Sequence, residues 1–381
     1  MANFNCKVSD DVILEAVRQH GSNAKAATAL GLNRRGVDKR ILNLAKRGYS
    51  PNHDMTHTVP EGFTVKGVST LYDADNNVKA QWVKSNQTAE DKQVLLRELF
   101  DSLAAELPKF RAGKCIEVTN KDLAQCYVIT DYHLGLLSWG EETGVDWDLK
   151  IAENMLIRWF DEALSGSRAV NAEIGIFAQL GDFMHWDGMD AVTPAAKNLL
   201  DADTRFQKLV RAAIFAIRHV INEMLKKHKM VIVIMAEGNH DPASSVWLRE
   251  GMAALFQHEP RVIVNVSPDP YYCYVHGKTS LFFHHGHKRR PANIDHVFVA
   301  KYREVFGKTT HSYAHLGHMH HVDIKETNLM IVEQHRTLAA PDAYTSRGGW
   351  ISGRDSKVIT YHKEYGEWLR TTITPDMLGS K

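Results

Sequence analysis

The sequence predicts an α/β protein with a small all-α module in front of it. From about residue 119, short apolar segments alternate with longer amphipathic ones, a pattern typical of strands layered with helices. The first 50 residues instead carry three short stretches of helical periodicity. With 381 residues and 44% hydrophobic composition, the chain is long enough for two or three units with real cores.

Residues 8–48 are predicted to form three helices, the last over 34–47. The expected N-terminal caps are Ser9, then Ser22 or Asn23, then Asn33. The arrangement resembles a helix-turn-helix, whose last helix lies in the major groove of DNA while basic side chains neutralise phosphates. The residues expected to contact DNA are Arg34, Arg35, Lys39 and Arg40. The alternative is a small helical bundle with a solvated charged face.

The distribution of charge indicates a basic surface in the N-terminal part of the chain but not over the whole protein. The formal net charge is +1, but the first 50 residues hold nine Lys/Arg against four Asp/Glu. The four cysteines lack CxxC spacing, and the N-terminus has no secretory pattern, so we expect reduced thiols and a cytoplasmic location. The apolar run around 231–236 is far too short to span a membrane, which excludes membrane insertion.

The expected domain organisation has three parts. Residues 1–50 form the helix-turn-helix module, 51–118 a connector, and 119–381 the main domain. Within the connector we predict a polar linker, a β-hairpin from Phe63 to Val83 with its turn at 73–77, and a helix over 89–107. Nothing in the connector indicates chemistry.

Polar clusters follow the strands of the main domain directly. The predicted strands are 127–130, 174–180, 231–236 and 281–283, with amphipathic helices over 147–164 and 204–227. The clusters lie at 130–135, 181–185, 238–241, 284–287 and 317–320. Because ligands of open α/β sheets collect outside the strand ends, we expect clusters far apart in sequence to form one site.

These clusters supply carboxylates, imidazoles and one amide but no thiolate. Such ligands suit Mn²⁺, Fe²⁺, Zn²⁺ or Mg²⁺, and there are more of them than one ion needs. We therefore expect two divalent ions, with Mn²⁺ the first expectation. Two ions held close together can bind a phosphoryl group and activate water, which is the chemistry of phosphoester hydrolysis.

The motifs DxH, GD, GNHD, HG and GHxH occur in this order over about 190 residues. In this they resemble the calcineurin-like metallophosphoesterase superfamily. The resemblance implies a four-layer sandwich of two mixed sheets flanked by helices. It also implies that one ion is held by Asp131, His133 and His320, the other by Asn239, His285 and His318, and both by Asp182. His240 would face the scissile bond and protonate the leaving oxygen or stabilise its charge.

Within the superfamily, the runs Asp-Tyr-His-Leu-Gly and Gly-Asp-x-x-His are most similar to SbcD-type DNA-repair exonucleases. There, the equivalent of His185 assists nuclease chemistry; the alternative is a histidine that only orients a ligand. This chain departs from that pattern by its long N-terminal part and short tail. Segments 330–338 and 358–373 are expected to complete the second sheet, which leaves no obvious dock for an ATPase partner.

Other conspicuous residues have weaker expectations. Arg289 and Arg290 could bind the substrate phosphate, although such a basic run is usually a solvated loop. We expect four histidines near the ligands to be supporting or surface residues: His284, His311, His315 and His321. Trp139, Trp186 and Trp247 could stack on bases, but packing is the commoner role of tryptophan.

The function expected from these features is a two-metal phosphodiesterase acting on nucleic acid, a DNA nuclease of phage or mobile-element origin. The expected partner is DNA, with no membrane association and with homo-oligomerisation left open. One alternative is a phosphatase or small-molecule phosphodiesterase whose N-terminal module binds a partner. Another is a DNA-binding regulator with an inactive phosphoesterase domain, but every motif position holds a chemically competent residue.

Overall fold

The computed structural model describes residues 8–46, 63–72, 78–87, 119–166 and 170–379. The chain divides into two compact units, Met1–Pro108 and Lys109–Lys381. The predicted linker, the hairpin turn at 73–77 and the helix predicted over 89–107 lie outside the described residues.

The first unit begins with the three helices that the sequence predicts. They are α1 Asp10–His20, α2 Asn23–Ala29 and α3 Arg34–Lys46. The side chains of Ser9 and Ser22 accept hydrogen bonds from the first turns of α1 and α2, and Asn33 Oδ1 accepts one from the Arg35 amide at 2.9 Å. Small apolar side chains, Ile13, Ala27 and Val37, form the centre of the helical core.

A two-stranded antiparallel hairpin follows in the same unit. Its strands are β1 Phe63–Tyr72 and β2 Val78–Gln87. The hairpin predicted from the alternating pattern is therefore present, with a second strand that continues four residues beyond the expected end at Val83.

The second unit alternates strands and helices along most of its length. In chain order its elements are β3 Asn120–Ile129, α4 Gly140–Thr143, α5 Leu149–Ser165, β4 Ala172–Gln179, α6 Phe206–Lys227, β5 Met230–Met235, α7 Pro242–Leu255, β6 Val262–Val264, β7 Tyr272–His276, β8 Thr279–Phe283, α8 Pro291–Lys301, α9 Arg303–Lys308, β9 His311–Leu316, β10 Asp323–Glu326, β11 Ile331–Gln334, α10 Ala343–Gly348, β12 Ser356–His362, β13 Gly366–Ile373 and a final 3₁₀ turn, Pro375–Leu378.

Two mixed sheets organise this unit. One has six strands in the order β13-β12-β3-β4-β5-β6, and the other has five in the order β10-β11-β9-β8-β7. Strands β3 to β6 run parallel, as do β8, β9 and β11. The antiparallel strands lie toward the edges, namely β12 and β13 in the first sheet and β7 and β10 in the second.

One expectation about the tail is wrong in part. Residues 358–373 form two strands, and β12 pairs with β3 in the first sheet, whereas only 331–334 joins the second sheet. The reason is physical: β12 is buried along its length and lies antiparallel beside β3, where it covers the otherwise open edge of that strand.

The layers follow from which faces of the strands are apolar. Cys126 and Ile232 of the first sheet meet Leu281 and Phe283 of the second in one buried cluster. Their neighbours point outward: Tyr127 and Phe177 pack on Phe160 of α5, and Phe282 packs on Phe298 of α8. Burial on both faces explains why these strands are continuous apolar runs. The predicted class, two mixed sheets flanked by helices, is confirmed.

The sandwich also contains a buried polar network that includes His315. His315 lies on β9 with Nδ1 at 2.9 Å from His335 Nε2 and Nε2 at 2.9 Å from the Tyr361 hydroxyl. Nearby Glu333 accepts a hydrogen bond from Arg370 at 2.6 Å and lies 3.5 Å from Lys357 Nζ. His315 is thus a core residue rather than the surface or supporting residue expected, and the cations already balance the charge of Glu333.

Among the described residues, no helix is both long enough and apolar enough to cross a membrane.

Candidate metal centre

Five loops meet at one edge of the sandwich, each at the carboxyl end of a parallel strand. They follow β3, β4 and β5 of the first sheet and β8 and β9 of the second. Backbone hydrogen bonds tie neighbouring loops together. The Asp131 amide donates to the Gly181 carbonyl at 3.0 Å, and the Gly317 amide donates to the His285 carbonyl at 2.8 Å. The convergence expected from sequence therefore occurs.

The first group of side chains comprises Asp131, His133 and His320, whose ligand atoms lie within 4.8 Å of one another. Asp131 Oδ1 lies 3.2 Å from His320 Nε2, which in turn lies 3.3 Å from His133 Nε2. Asp131 and His133 are buried. These are the residues that the sequence resemblance places around one ion.

The second group comprises Asp182, His285 and His318, with Asn239 beside it. His285 Nε2 lies 3.1 Å from Asp182 Oδ2 and 3.1 Å from Asn239 Oδ1. Its other nitrogen, Nδ1, is 2.8 Å from the carbonyl oxygen of Leu180 and must donate to it, because a carbonyl can only accept. In the neutral form that a cation would bind, the ring therefore presents the lone pair of Nε2 to the cluster.

The backbone is held in an uncommon conformation at these positions. Six non-glycine residues among those described have positive φ, and five of them are in the two groups: Asp131 (49°), His133 (46°), Asp182 (50°), His318 (78°) and His320 (55°). Such φ values are costly for residues with a side chain and are found where function constrains the chain. The strain here coincides with the candidate ligands.

Two glycines permit the close approach of the loops. A Cβ at Gly238 would overlap the backbone nitrogen and Oδ1 of Asp182, and a Cβ at Gly317 would overlap the hydroxyl of Thr130. The glycine in each of the GNHD and GHxH motifs is therefore required by packing against the carboxylates.

The electrostatics of the cluster favour positive charge. Burial alone would lower the pKa of His285, but the carboxylates of Asp182 and Asp131 outweigh it and raise that pKa to about 9. Burial would likewise raise the pKa of Asp131 and Asp182, yet the surrounding histidines hold both well below their usual range. The buried carboxylates thus remain ionised and need cations at this place.

The donor set fits divalent cations. Asp131 Oδ1 is buried and has no hydrogen-bond partner, and His285, whose Nδ1 is committed to the Leu180 carbonyl, turns Nε2 toward Asp182 and Asn239. The raised pKa of His285 means that the carboxylates draw a positive charge to this place, and a divalent cation would supply that charge instead of the proton. Carboxylate, imidazole and amide ligands suit Mn²⁺, Fe²⁺ and Zn²⁺.

His240 lies beside the two groups and is partly exposed in the pocket. Its backbone amide donates to Asp182 Oδ1 at 2.7 Å, and its Nδ1 is 2.9 Å from the His185 carbonyl oxygen. Because Nδ1 must donate to that carbonyl, Nε2 is the nitrogen left for substrate. His240, His133 and His185 also form a third group of potential ligand atoms.

His185 is buried, and its side chain faces a candidate ligand rather than the pocket. Its Nδ1 lies 3.3 Å from His133 Nδ1, and its Nε2 has no hydrogen-bond partner. Burial lowers the pKa of His185 to about 3, so the ring is neutral. This contact is the one expected of a residue that orients His133.

Asp241 is a residue of the site whose role the sequence did not suggest, although it belongs to the GNHD motif. Its Oδ1 accepts hydrogen bonds from the amides of Asp182 and Gly238, each at 3.2 Å, and its Oδ2 accepts one from Met184 at 3.0 Å. Burial and the charge of Asp182 raise the pKa of Asp241 to about 7. Asp241 therefore fixes the loop that carries Asp182.

The remaining predicted residues lie elsewhere. Arg289 and Arg290 are exposed and do not line the pocket beside the candidate ligands. The three tryptophans do not line the pocket either. Trp186 is buried, and Trp139 is exposed. In the first unit, Arg34, Arg35 and Lys39 are exposed on α3.

Arg40 differs from its basic neighbours. Its guanidinium pairs with Asp10 at the start of α1 and donates to the Val8 carbonyl at 2.9 Å. It therefore links α3 to α1, whereas the side chains of Arg34 and Arg35 are exposed.

The pocket beside the candidate ligands has a volume of about 720 Å³. Its walls include His133, Asp182, His240 and His320 together with residues 337–354 of the segment between β11 and β12. A volume of this size accommodates a ligand much larger than a phosphate group.

No protein-family model matches the sequence, and a search of curated proteins finds no significant match. Solved structures similar in fold include a predicted phosphoesterase from Streptococcus pneumoniae (10% identity, TM-score 0.28, covering 67% of this chain and 99% of that one). An archaeal phosphodiesterase is also similar (13%, 0.33, 65% and 99%), as is zinc-bound Vps29 from Entamoeba histolytica (10%, 0.26, 66% and 99%). Because these identities and TM-scores are low, the functional assignment rests on the residues of the site.

Proposed function

We propose that this protein is a two-metal phosphodiesterase whose substrate is nucleic acid. The observation that carries the proposal is the convergence of two carboxylate-histidine groups on one pocket, with His240 beside them. Five of their residues have a positive φ, a conformation that is costly for residues with a side chain and that is concentrated at functional sites.

In this proposal Asp131, His133 and His320 would hold one ion, Asn239, His285 and His318 would hold the other, and Asp182 would serve both. Divalent ions there would neutralise charge on the phosphodiester and make water a nucleophile at neutral pH. Asp241 keeps the Asp182 loop in position, and His185 orients the ring of His133.

The proton for the leaving group comes from His240. Water adds to phosphorus and releases a proton to solvent, the bond from phosphorus to the leaving oxygen breaks, and that oxygen takes a proton from Nε2 of His240, which solvent then restores. The hydrogen bond from Nδ1 to the His185 carbonyl holds the ring so that Nε2 is free for this transfer. The products are an alcohol and a phosphomonoester.

Nucleic acid is the proposed substrate because a second, basic element is present in the chain. Helix α3 exposes Arg34, Arg35 and Lys39, as a helix that contacts phosphates requires. The motifs DxH and GDxxH also resemble those of DNA-repair exonucleases.

The substrate class is tested by incubating the full chain and His240→Ala, each with Mn²⁺, with four substrates. These are labelled single-stranded DNA, duplex DNA, RNA and bis(p-nitrophenyl) phosphate. The proposal predicts cleavage of at least one nucleic acid and of the aryl diester by the wild type only. Cleavage of the aryl diester but of no nucleic acid would instead indicate a small-molecule phosphodiesterase.

The basic helix provides a separate prediction. Replacing Arg34 and Arg35 by alanine should flatten the slope of log K against log salt for DNA binding by about one to two units, because two phosphate contacts are lost. Binding is measured on the full chain by fluorescence anisotropy with chelator present, so that DNA is not cleaved.

The control removes the same charge elsewhere. Lys226 and Lys308 are exposed on helices of the second unit, and the double variant Lys226→Ala/Lys308→Ala should leave the slope unchanged. Equal effects of the two double variants would show that α3 has no special role in binding DNA.

A further inference from the structure

The segment between β11 and β12, residues 336–355, is fixed firmly beside the candidate metal centre. The Thr337 hydroxyl donates to the carbonyl of Asp131 at 2.6 Å, and Arg336 pairs with Asp355 at 2.8 Å where the segment returns to the sheet. In its middle, Arg347 pairs with Glu142 of α4. These contacts hold the segment as one wall of the pocket.

This wall presents two aromatic rings to solvent. Tyr344 is 73% exposed and Trp350 is 57% exposed, and their ring centroids lie 5.1 Å apart at an interplanar angle of 47°. The Trp350 ring lies over Gly348, where a Cβ would come within 2.5 Å of ring carbons. Gly349 has φ of 71°, which turns the chain back so that the Trp350 amide donates to the Thr345 carbonyl.

Exposed aromatic rings are costly unless they have a partner, since each leaves a large apolar surface in water. These two rings line the same pocket as Asp182, His240 and His320. The pocket wall also includes the Arg354 guanidinium, which donates to the Leu338 carbonyl and lies over the Trp147 ring. An anionic group beside a flat aromatic one would match this wall.

We propose that Tyr344 and Trp350 form a stacking platform for an unpaired base next to the scissile phosphate of a single-stranded nucleic acid. This inference rests on the proposed function. A duplex base stacks on its own neighbours, so only an unpaired base has a free face to offer. Stacking on aromatic rings accepts any base, and it places the adjoining phosphate in the pocket that contains His240.

The test compares Trp350→Ala with Trp368→Ala in the full chain. Trp368 is a matched control because it is 59% exposed, lies beside a tyrosine as Trp350 does, and does not line the pocket. Three substrates are used with Mn²⁺: an oligothymidylate, an oligomer of the same length that is abasic throughout, and bis(p-nitrophenyl) phosphate. Thermal melting of each variant checks that it is folded.

Trp350→Ala should raise KM for the oligothymidylate about fivefold to 100-fold, the loss of one base stack, with a smaller change in kcat. Trp350→Phe should retain most of the affinity, and Trp368→Ala should behave as the wild type. On the abasic oligomer the wild type and Trp350→Ala should differ by less than about twofold, because the missing base and the missing ring remove the same interaction.

The inference is overturned if Trp350→Ala and Trp368→Ala have the same KM for the oligothymidylate, or if the effect of Trp350→Ala persists on the abasic oligomer. It is also overturned if the wild type cleaves the aryl diester but no single-stranded oligomer. Failure of the wild type to hydrolyse any of the three substrates would instead refute the proposed function itself.

Discussion

Replacing His240 by alanine is expected to lower kcat for phosphodiester hydrolysis by about 10²–10⁴-fold, the usual contribution of a general acid. The hydrogen bond from Nδ1 to the His185 carbonyl leaves Nε2 as the proton donor. Metal content should stay near that of the wild type, because His240 belongs to neither proposed ligand set. Stopped assays of kcat and elemental analysis of the same samples measure both quantities.

Two controls make the His240 result decisive. His258 is exposed and lies outside the pocket, so His258→Ala should retain full activity. His318→Ala should lose metal. Because His240 also lies within reach of His133 and His185, a metal loss in His240→Ala as complete as in His318→Ala would mean that His240 is a ligand and not the acid.

Replacing Asp182 by asparagine should lower bound metal from about two ions per chain to one or fewer, and lower turnover on the order of 10³-fold, since the ions supply several kcal/mol of charge stabilisation. Asp182 is buried and lies 3.1 Å from His285 of the second group. Burial would lower the pKa of His320 in the first group, but the charges of Asp131 and Asp182 raise it, so the charge of Asp182 acts on both groups. The side-chain amide of asparagine has the same shape as the carboxylate of aspartate, so the substitution removes only the charge. Elemental analysis after reconstitution with Mn²⁺ and dialysis measures the change.

Asp161→Asn is the matched control, because Asp161 is an exposed carboxylate on α5 and should have no effect on metal content. An unchanged metal content in Asp182→Asn, or a wild-type content near one ion, would contradict the bridging role of Asp182.

The place of the candidate site could be predicted from sequence because four of the five polar clusters directly follow a short apolar run, whereas the individual ligands are those that the resemblance of the motifs implies. An apolar strand such as β5 is recognisable by composition, and the residues after it must lie at the carboxyl edge of its sheet. The three N-terminal helices were predictable for a similar local reason: their caps and apolar faces are encoded within a few residues.

Long-range pairing is less accessible from sequence. Strand β12 lies beside β3, although Val358 and its partner Tyr127 are more than 200 residues apart in the chain. The apolar pattern of the sequence predicts that β12 is a strand, but it does not predict which strand pairs with it. The buried position of His315 between the sheets was missed for the same reason, since its partners His335 and Tyr361 come from other strands.

The residues that support the site could not be predicted from the sequence either. Asp241 accepts hydrogen bonds from backbone amides, and such contacts have no signature in sequence, so the motif alone does not predict its role. Residues 336–355 have no long periodic pattern, and their place beside the ligands depends on single contacts such as Thr337 to Asp131. The basic run at Arg289 and Arg290 suggested a contact with the substrate phosphate, but neither residue lines the pocket.

The central claim is that two cations held by these side chains enable phosphodiester hydrolysis. It is tested most directly by titrating metal-stripped full-length protein with Mn²⁺ while following hydrolysis of bis(p-nitrophenyl) phosphate. The account predicts no turnover in chelator and a rise that saturates at about two equivalents of Mn²⁺ per chain. Turnover that persists in chelator, saturation at about one equivalent, or no turnover with Mn²⁺, Fe²⁺, Zn²⁺ or Mg²⁺ would contradict it.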